Sequence, residues 1–241
     1  MAFFAMSDIH GDRQAFEEAW ARLSTLRRDE PVYVLGDLID GGAASGAVLQ
    51  RVYELANGDA GVKLLLGNHE AMFLDFLEGT DDLDWLTQDT GFNTTKSFFT
   101  ATQWQALVNQ LKADPTNARQ SVVTALWQTH RQLFEWLSAR PLIAVLPRQV
   151  LVHAGIDETI PDWQAFGLSR DILLSKFPPT TGYFEKVVIA GHVSSRQVAH
   201  DQHYLGHIYY DHASHYFIDG DTLKSHRVPV LYWNDHSYQE V

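Results

Sequence analysis

Three short apolar runs near the start of this chain end alike, and that repetition limits the folds open to it. Phe3-Phe4-Ala5-Met6 opens into Ser7-Asp8-Ile9-His10-Gly11, and Val32-Tyr33-Val34-Leu35 into Gly36-Asp37-Leu38-Ile39-Asp40-Gly41. Val62 with Lys63-Leu64-Leu65-Leu66 opens into Gly67-Asn68-His69-Glu70. Runs this short suit buried strands. After the third, Ala71, Met72, Phe73, Leu74, Phe76 and Leu77 recur at helical spacing, so Asn68 and His69 stand on a strand-to-helix turn. In open α/β sheets the crevice beyond the carboxyl ends of the strands is where ligands bind. Three such ends predict one pocket lined by Asp, His and Asn.

The rest of the chain extends this pattern. A strand over about Ala2 to Met6 leads to a helix over Arg13 to Leu26, with Phe16, Ala19, Trp20 and Leu23 on one face. A strand over Val32 to Leu35 leads through a glycine-rich loop to a helix carrying Val48, Leu49, Val52 and Leu55, which ends at Asn57-Gly58. This βαβαβ order predicts a parallel sheet. Residues 81–140 lack strand-like runs; Thr102 to Leu111 and Asn117 to Leu137 read as helices split by Asp114-Pro115-Thr116. The expectation is a single domain over residues 1–241 with a helical insert, either a cap over the pocket or a side bundle. The insert aromatics Trp85, Phe92, Phe98, Phe99, Trp104, Trp127 and Trp136 read as core. Strands return at Leu142 to Leu146 and at Val150 to Val152, a hairpin around Pro147-Arg148 whose second strand opens into His153-Ala154-Gly155. Phe184 to Ala190 opens into Gly191-His192. Ile208 to Tyr210, Tyr216 to Ile218, Leu223 to Val228 and Val230 to Trp233 read as an antiparallel meander.

A formal charge of -12 argues against a broad basic footprint for nucleic acid polymers. No apolar run approaches the roughly 20 residues that span a bilayer. The first residues read as a strand, not a signal peptide, because Asp8 follows at once. With no cysteine to form disulfides, the expectation is a cytoplasmic protein with no membrane partner.

The polar residues at the strand ends are Asp8, His10, Asp37, Asp40, Asn68, His69, His153 and His192. Carboxylate, imidazole and amide oxygen suit manganese, iron or zinc. Asp8 and His10, two apart, would share one side of an extended segment and grip one ion. His153, His192 and Asn68 could close on a second, with Asp37 bridging. Two ions about 3.5–4 Å apart clamp a phosphoryl group and activate water, which predicts a dinuclear hydrolase.

Asp8-Ile-His10-Gly11, Gly36-Asp37-Leu-Ile-Asp40, Gly67-Asn68-His69-Glu70, Val152-His153-Ala154-Gly155 and Gly191-His192 occur in the order seen in calcineurin-like metallophosphoesterases. The variants most resemble the phosphoprotein phosphatase branch, which includes serine/threonine phosphatases and symmetrical diadenosine tetraphosphatase. The resemblance spans about residues 1–80 and 141–227. It implies an α/β fold of two mixed sheets packed as a sandwich and flanked by helices. It implies Asp8, His10 and Asp37 on one metal, and Asp37, Asn68, His153 and His192 on the other. His69 would protonate the leaving oxygen with Asp40 orienting its ring, while Arg170 would join Asn68 in binding substrate. Tyr216-Phe-Ile-Asp219-Gly220 resembles a late structural strand of the family. The family's second motif usually continues Asp-Arg-Gly, but Gly41 stands where that phosphate-binding arginine is expected, leaving Arg148, Arg196 or an insert residue to substitute, or room for a larger substrate.

These residues predict a phosphate-ester hydrolase with two divalent ions, manganese first among them. A phosphomonoesterase acting on phosphoprotein or small esters is the leading reading, and a dinucleoside polyphosphate hydrolase the alternative. A non-catalytic metal- and phosphate-binding module is the rival from another class. Asp12-Arg13 reads as a helix start and Glu70 as a first-turn acid favoured by the helix dipole. The other histidines, including the cluster from His200 to His215, read as surface and strand-edge residues in preference to another metal site.

Overall fold

The computed structural model describes residues 1–79 and 89–241. β1 (Phe3–Met6), β2 (Val32–Val34) and β3 (Val62–Leu64) lie parallel, linked by α1 (Arg13–Leu26) and α2 (Ser45–Gly58). Asp12 caps α1, its carboxylate accepting the Ala15 N–H at 3.0 Å, as its place before the helix predicts. α3 (Asn68–Glu78) follows β3. The second sheet runs in the order β4 (Ile143–Val145), β5 (Gln149–Val152), β6 (Val187–Ala190), β8 (His215–Phe217), β7 (Tyr209–Tyr210). Its three inner strands are parallel and its two outer pairings antiparallel. The two mixed sheets match the expected sandwich.

Alternation along β1 divides the core. Phe3 and Ala5 face the other sheet with Tyr33, Leu35, Leu65, Leu151 and Ile189. Phe4 and Met6 face the helices with Phe16, Val34, Leu49 and Phe73. Both faces are covered, which is why the run is apolar at every position. All four residues are fully buried, and burying one such side chain contributes about 1.5–3 kcal/mol.

The tail does not form the expected meander. β9 (Leu231–Trp233) crosses to the first sheet, pairing antiparallel with β1, and β10 (Tyr238–Glu240), a largely polar strand not anticipated, pairs with β9. The expected strand Leu223 to Val228 begins instead as a helical turn, α10 (Thr222–Ser225), bounded by Asp221 and His226 at φ +51. Left-handed residues at both ends cannot extend a ladder. Thr222 Oγ1 draws the turn onto the β1 loop by donating to the Asp8 carbonyl at 2.6 Å.

Between α3 and β4 the described residues are helical: α4 (Asp89–Ser97), α5 (Ala101–Ala113) and α6 (Ala118–Ser138), with a 3-10 turn at Pro115–Asn117. α4 was not anticipated, since its threonines, asparagine and glycine form helix weakly. α6 buries Val122, Val123, Leu126, Leu133, Phe134 and Leu137, the face its periodicity predicts, and bends at His130, whose Nε2–H donates to the Phe98 carbonyl at 2.8 Å. Phe98 is core and Phe99, Trp104, Trp127 and Trp136 pack against it, but Phe92 is half exposed. Trp85 lies outside the described residues.

His215 corrects the surface reading of the late histidines. It is 2 % exposed on β8, with Nδ1 2.9 Å from Asp211 Oδ2 and Nε2 3.0 Å from Glu158 Oε2. Burial disfavours charging the ring, but the two carboxylates outweigh it and raise its pKa. The carboxylates stand on opposite ring nitrogens and so do not converge on a common ion position. His200, His203, His207, His212, His226 and His236 are exposed, as expected. His215→Gln should destabilise the fold by on the order of 3 kcal/mol near pH 6. Because the folded pKa is raised, the wild-type advantage is complete below about 6.5 and is lost as pH climbs through the folded value. Paired thermal melts from acid to mildly alkaline pH check this.

Candidate metal centre

Past the strands, the parallel ladder continues into the loops. Asp8 N–H donates to the Gly36 carbonyl at 3.1 Å, His10 N–H to Asp37 at 2.9 Å and Gly11 N–H to Leu38 at 2.8 Å. Asp8 and His10 do not meet by strand alternation as expected. The backbone is left-handed at Asp8 (φ +55), His10 (φ +48), Asp37 (φ +54), Asp40 (φ +67) and His192 (φ +65). Such backbone costs roughly 1–2 kcal/mol per non-glycine residue. The turn brings His10 Nε2 3.8 Å from Asp8 Oδ1 and 3.8 Å from Asp37 Oδ2. Gly191 is required beside it, because a Cβ there would stand 2.1 Å from Asp8 Oδ2. The freed approach lets His192 N–H donate to both Asp8 oxygens, at 3.2 and 3.1 Å.

Glu70 does more than favour its helix. Fully buried, its Oε2 accepts the N–H groups of Asp37 at 2.7 Å and Gly67 at 3.1 Å, and its Oε1 those of Leu38 at 2.7 Å and Ile39 at 3.2 Å. Burial and the neighbouring Asp37 push its pKa up to about 6 against these bonds. One carboxylate thus locks the first turn of α3 to the β2 loop. The sequence signal was its place directly after His69, but three of its four partners lie over 30 positions upstream.

Asp37 belongs to two groups able to hold a metal among the described residues: His10, Asp37 and His69, and Asp37, His153 and His192. His153 Nε2 stands 3.4 Å from Asp37 Oδ2. Asn68 Oδ1 lies 2.8 Å from His153 Nε2 and 3.0 Å from His192 Nδ1. His10 Nδ1–H donates to the Ile39 and Asp40 carbonyls at 3.1 and 3.0 Å, and His153 Nδ1–H to the Leu35 carbonyl at 2.8 Å. Those bonds fix the tautomer and turn both Nε2 atoms toward Asp37, the orientation that ligand histidines need. A neutral His153 would then set a lone pair against the Asn68 oxygen. The cluster demands positive charge there: burial opposes it, yet Asp37 and Asp8 raise the His153 pKa to about 10. Burial and the nearby His153 hold His192 down at about 4, neutral and able to donate its lone pair. Desolvation of Asp37 is outweighed by His153, His69 and His10, which hold it well below the usual carboxylate range. The donor set fits divalent cations.

His69 is the third member of the first group, with Nε2 3.9 Å from Asp37 Oδ2, and its Nδ1 meets Asp40 Oδ2 at 2.7 Å. Burial opposes its charge, but the Asp40 bond and the nearby Asp37 raise its pKa to about 9. With Nδ1 held by Asp40, a protonated His69 presents its Nε2–H toward the site, so the geometry suits an acid. Asp40 is itself held by Ser45 and by Thr94 of α4, a residue that no spacing in the sequence singles out.

The expected phosphate-binding arginines are less convergent. Arg170 is in neither metal group; it opens α8 (Arg170–Ser175), half exposed, with Nη2 3.8 Å from Asp75 Oδ1. Arg148 precedes β5 whereas His153 follows it, so the strand, about 13 Å long, puts Arg148 at the end away from His153. Arg196 is tied to Asp221 Oδ2 through Nε at 2.7 Å and Nη2 at 2.6 Å. The room beside Gly41 is not open. Its φ is +104, and a Cβ would stand 2.5 Å from Leu223 Cδ1. Gly41→Arg should therefore lower thermal stability, by about 1–2 kcal/mol from left-handed backbone alone, before any gain in phosphate binding. Glu70→Gln, which sets an amide N–H₂ against backbone donors, should cost on the order of 3 kcal/mol in denaturant unfolding.

Among known proteins, the bis(5'-nucleosyl)-tetraphosphatase (symmetrical) of Acidovorax sp. strain JS42 is 41% identical over 80 residues, 33% of this chain and 27% of the relative. The protein of the same name from Paracidovorax citrulli is 27% identical over 165 residues, 68% of this chain and 47% of the relative. The chain therefore spans less than half the length of these curated relatives. The cold-active protein-tyrosine phosphatase of a psychrophilic Shewanella shares the fold, with a TM-score of 0.62 at 16% identity, covering 99% of this chain and 77% of that one. The calcineurin-like phosphoesterase family model matches residues 1–231, and the chain belongs to that family.

Proposed function

We propose that this chain is a dinuclear metal-dependent hydrolase of phosphoric esters, a single domain with a helical insert over about 81–140. The observation that carries the reading is Asp37, shared by two metal-capable groups, one of which includes His69, itself paired with Asp40. Asp8, His10 and Asp37 would hold one divalent ion, and Asp37, Asn68, His153 and His192 the other; manganese is the first candidate. Bound ions would neutralise phosphoryl oxygens and acidify a water for attack on phosphorus. The chain supplies the rest. His69 delivers the proton from Nε2 to the departing oxygen, and Asp40 keeps Nδ1 engaged so that Nε2 faces the site. Asn68 and Arg170 contact the phosphate, Arg170 through a planar fork suited to its oxygens.

A symmetrical dinucleoside polyphosphate is the favoured substrate, because every curated relative compared carries that activity in its name. The phosphomonoesterase reading stands second, supported by the motif variants of the phosphoprotein phosphatase branch. We place the protein in the cytoplasm, in keeping with its lack of cysteine and of any described helix long and apolar enough to cross a membrane.

Metal-stripped protein reloaded with manganese should cleave diadenosine tetraphosphate to two ADP faster than it cleaves an aryl phosphate; the reverse order selects the monoesterase. No turnover with two ions bound would move the weight to a binding module. His69→Asn should lower turnover by about 10²–10³-fold while elemental analysis still finds both metals. Asp37→Asn should lose at least one ion by the same analysis.

A further inference from the structure

One hydroxyl carries the helical segment into the site. Thr94 Oγ1, fully buried on α4, donates to Asp40 Oδ1 at 2.5 Å and accepts the Asp40 backbone N–H at 3.1 Å. Ser45 Oγ takes the same N–H at 3.1 Å and lies 3.2 Å from Thr94 Oγ1. The remaining carboxylate oxygen, Oδ2, meets His69 Nδ1 at 2.7 Å. Thr94 thus grips Asp40 at two points, backbone and side chain. That grip matters because Asp40 sits at φ +67, a conformation that surrounding bonds must hold. A carboxylate bonded through both oxygens cannot turn about its side-chain torsions without breaking one contact.

The arrival of α4 here has its own physical cause. α2 starts after Ala44, whose side chain cannot cap it. Ser97 Oγ supplies the missing acceptor, taking the Gly46 N–H at 2.8 Å while donating to the Thr94 carbonyl at 2.6 Å. Phe98, next in the chain, stacks on Phe73 of α3 with ring centroids 5.5 Å apart. The same few residues therefore cap α2, anchor to α3 and deliver Thr94.

We propose that Thr94 is a positioning residue for His69, holding Asp40 so that Oδ2 stays on Nδ1 and Nε2 stays directed into the site. This rests on His69 being the acid, as proposed above. It makes the helical segment part of the proton-delivery machinery.

Thr94→Val removes the O–H and keeps the shape; Thr94→Ser keeps the O–H and removes the methyl. Protonation matters for a poor leaving group and little for a good one. On the manganese-loaded enzyme, Thr94→Val should fall about tenfold on phenyl phosphate and less than about twofold on dinitrophenyl phosphate, with Thr94→Ser near wild type on both. His69→Asn should show the same split, enlarged. A second readout uses the metal-free protein: the Nδ1 proton of His69, assigned by its loss in His69→Asn, should shift or broaden in Thr94→Val and persist in Thr94→Ser. Equal losses on both esters, or no loss, with that proton unmoved would overturn the role. If His69→Asn shows no split, the acid reading fails, and the Nδ1 proton alone upholds or overturns the positioning. Should Thr94→Val not fold, Thr94→Ala is judged by both readouts in its place.

Discussion

The buried carboxylate of Glu70 is the constraint on which the site depends. Four backbone N–H groups converge on it, and one of them belongs to Asp37, the residue common to both metal-capable groups. Hydrogen bonds to a charged acceptor contribute about 1.5–3 kcal/mol each, enough together to offset several left-handed residues. The loop after β2 runs through two of these, Asp37 and Asp40, and would relax toward ordinary dihedrals without a fixed anion to organise it. Strain at the metal-facing residues and the clamp on α3 are two sides of one arrangement.

What the sequence made legible follows from range. Asp8, Asp37, Asn68, His153 and His192 could be read because each follows its own apolar run, and the turn after a strand is a local property. The reason given for the Asp8–His10 pairing fails, since positive φ and not alternation brings the two side chains within 3.8 Å. Glu70 was read as a helix-start acid because its place in the turn is local while its partners are not. Thr94 left no trace, as its partner lies 54 positions away. His215 was misread for the same reason, being defined by Glu158, 57 positions away. The segment after Asp221 has strand-like composition, and only the dihedrals at Asp221 and His226 and the Thr222 bond exclude a strand.

Charge is distributed so that the interior asks for cations while the surface stays anionic. Acids outnumber bases 30 to 18. Inside, Asp8, Asp37 and Asp40 are nearly inaccessible; the carboxylates favour protons on His69 and His153, while burial and the nearby His153 keep His192 neutral. Under the proposed reading, a phosphate-bearing substrate would be attracted at the pocket and not by the chain's net charge of -12. The Leu223 side chain over Gly41 places an apolar wall where a cation is expected from the family pattern.

The crossing of β9 to the first sheet bears on the order in which the site can assemble. β1 lies between β2 and β9, and the Asp8 carbonyl is held by Thr222, so this strand and its polar loop are completed by residues 214 positions and more downstream. Contacts of such sequence separation form late and slowly. The loop of Asp8 and His10 follows β1 directly, yet one of the contacts that fix it closes only across that separation. The geometry that sets Asp8 beside His10 is thus tied to the docking of β9 on β1.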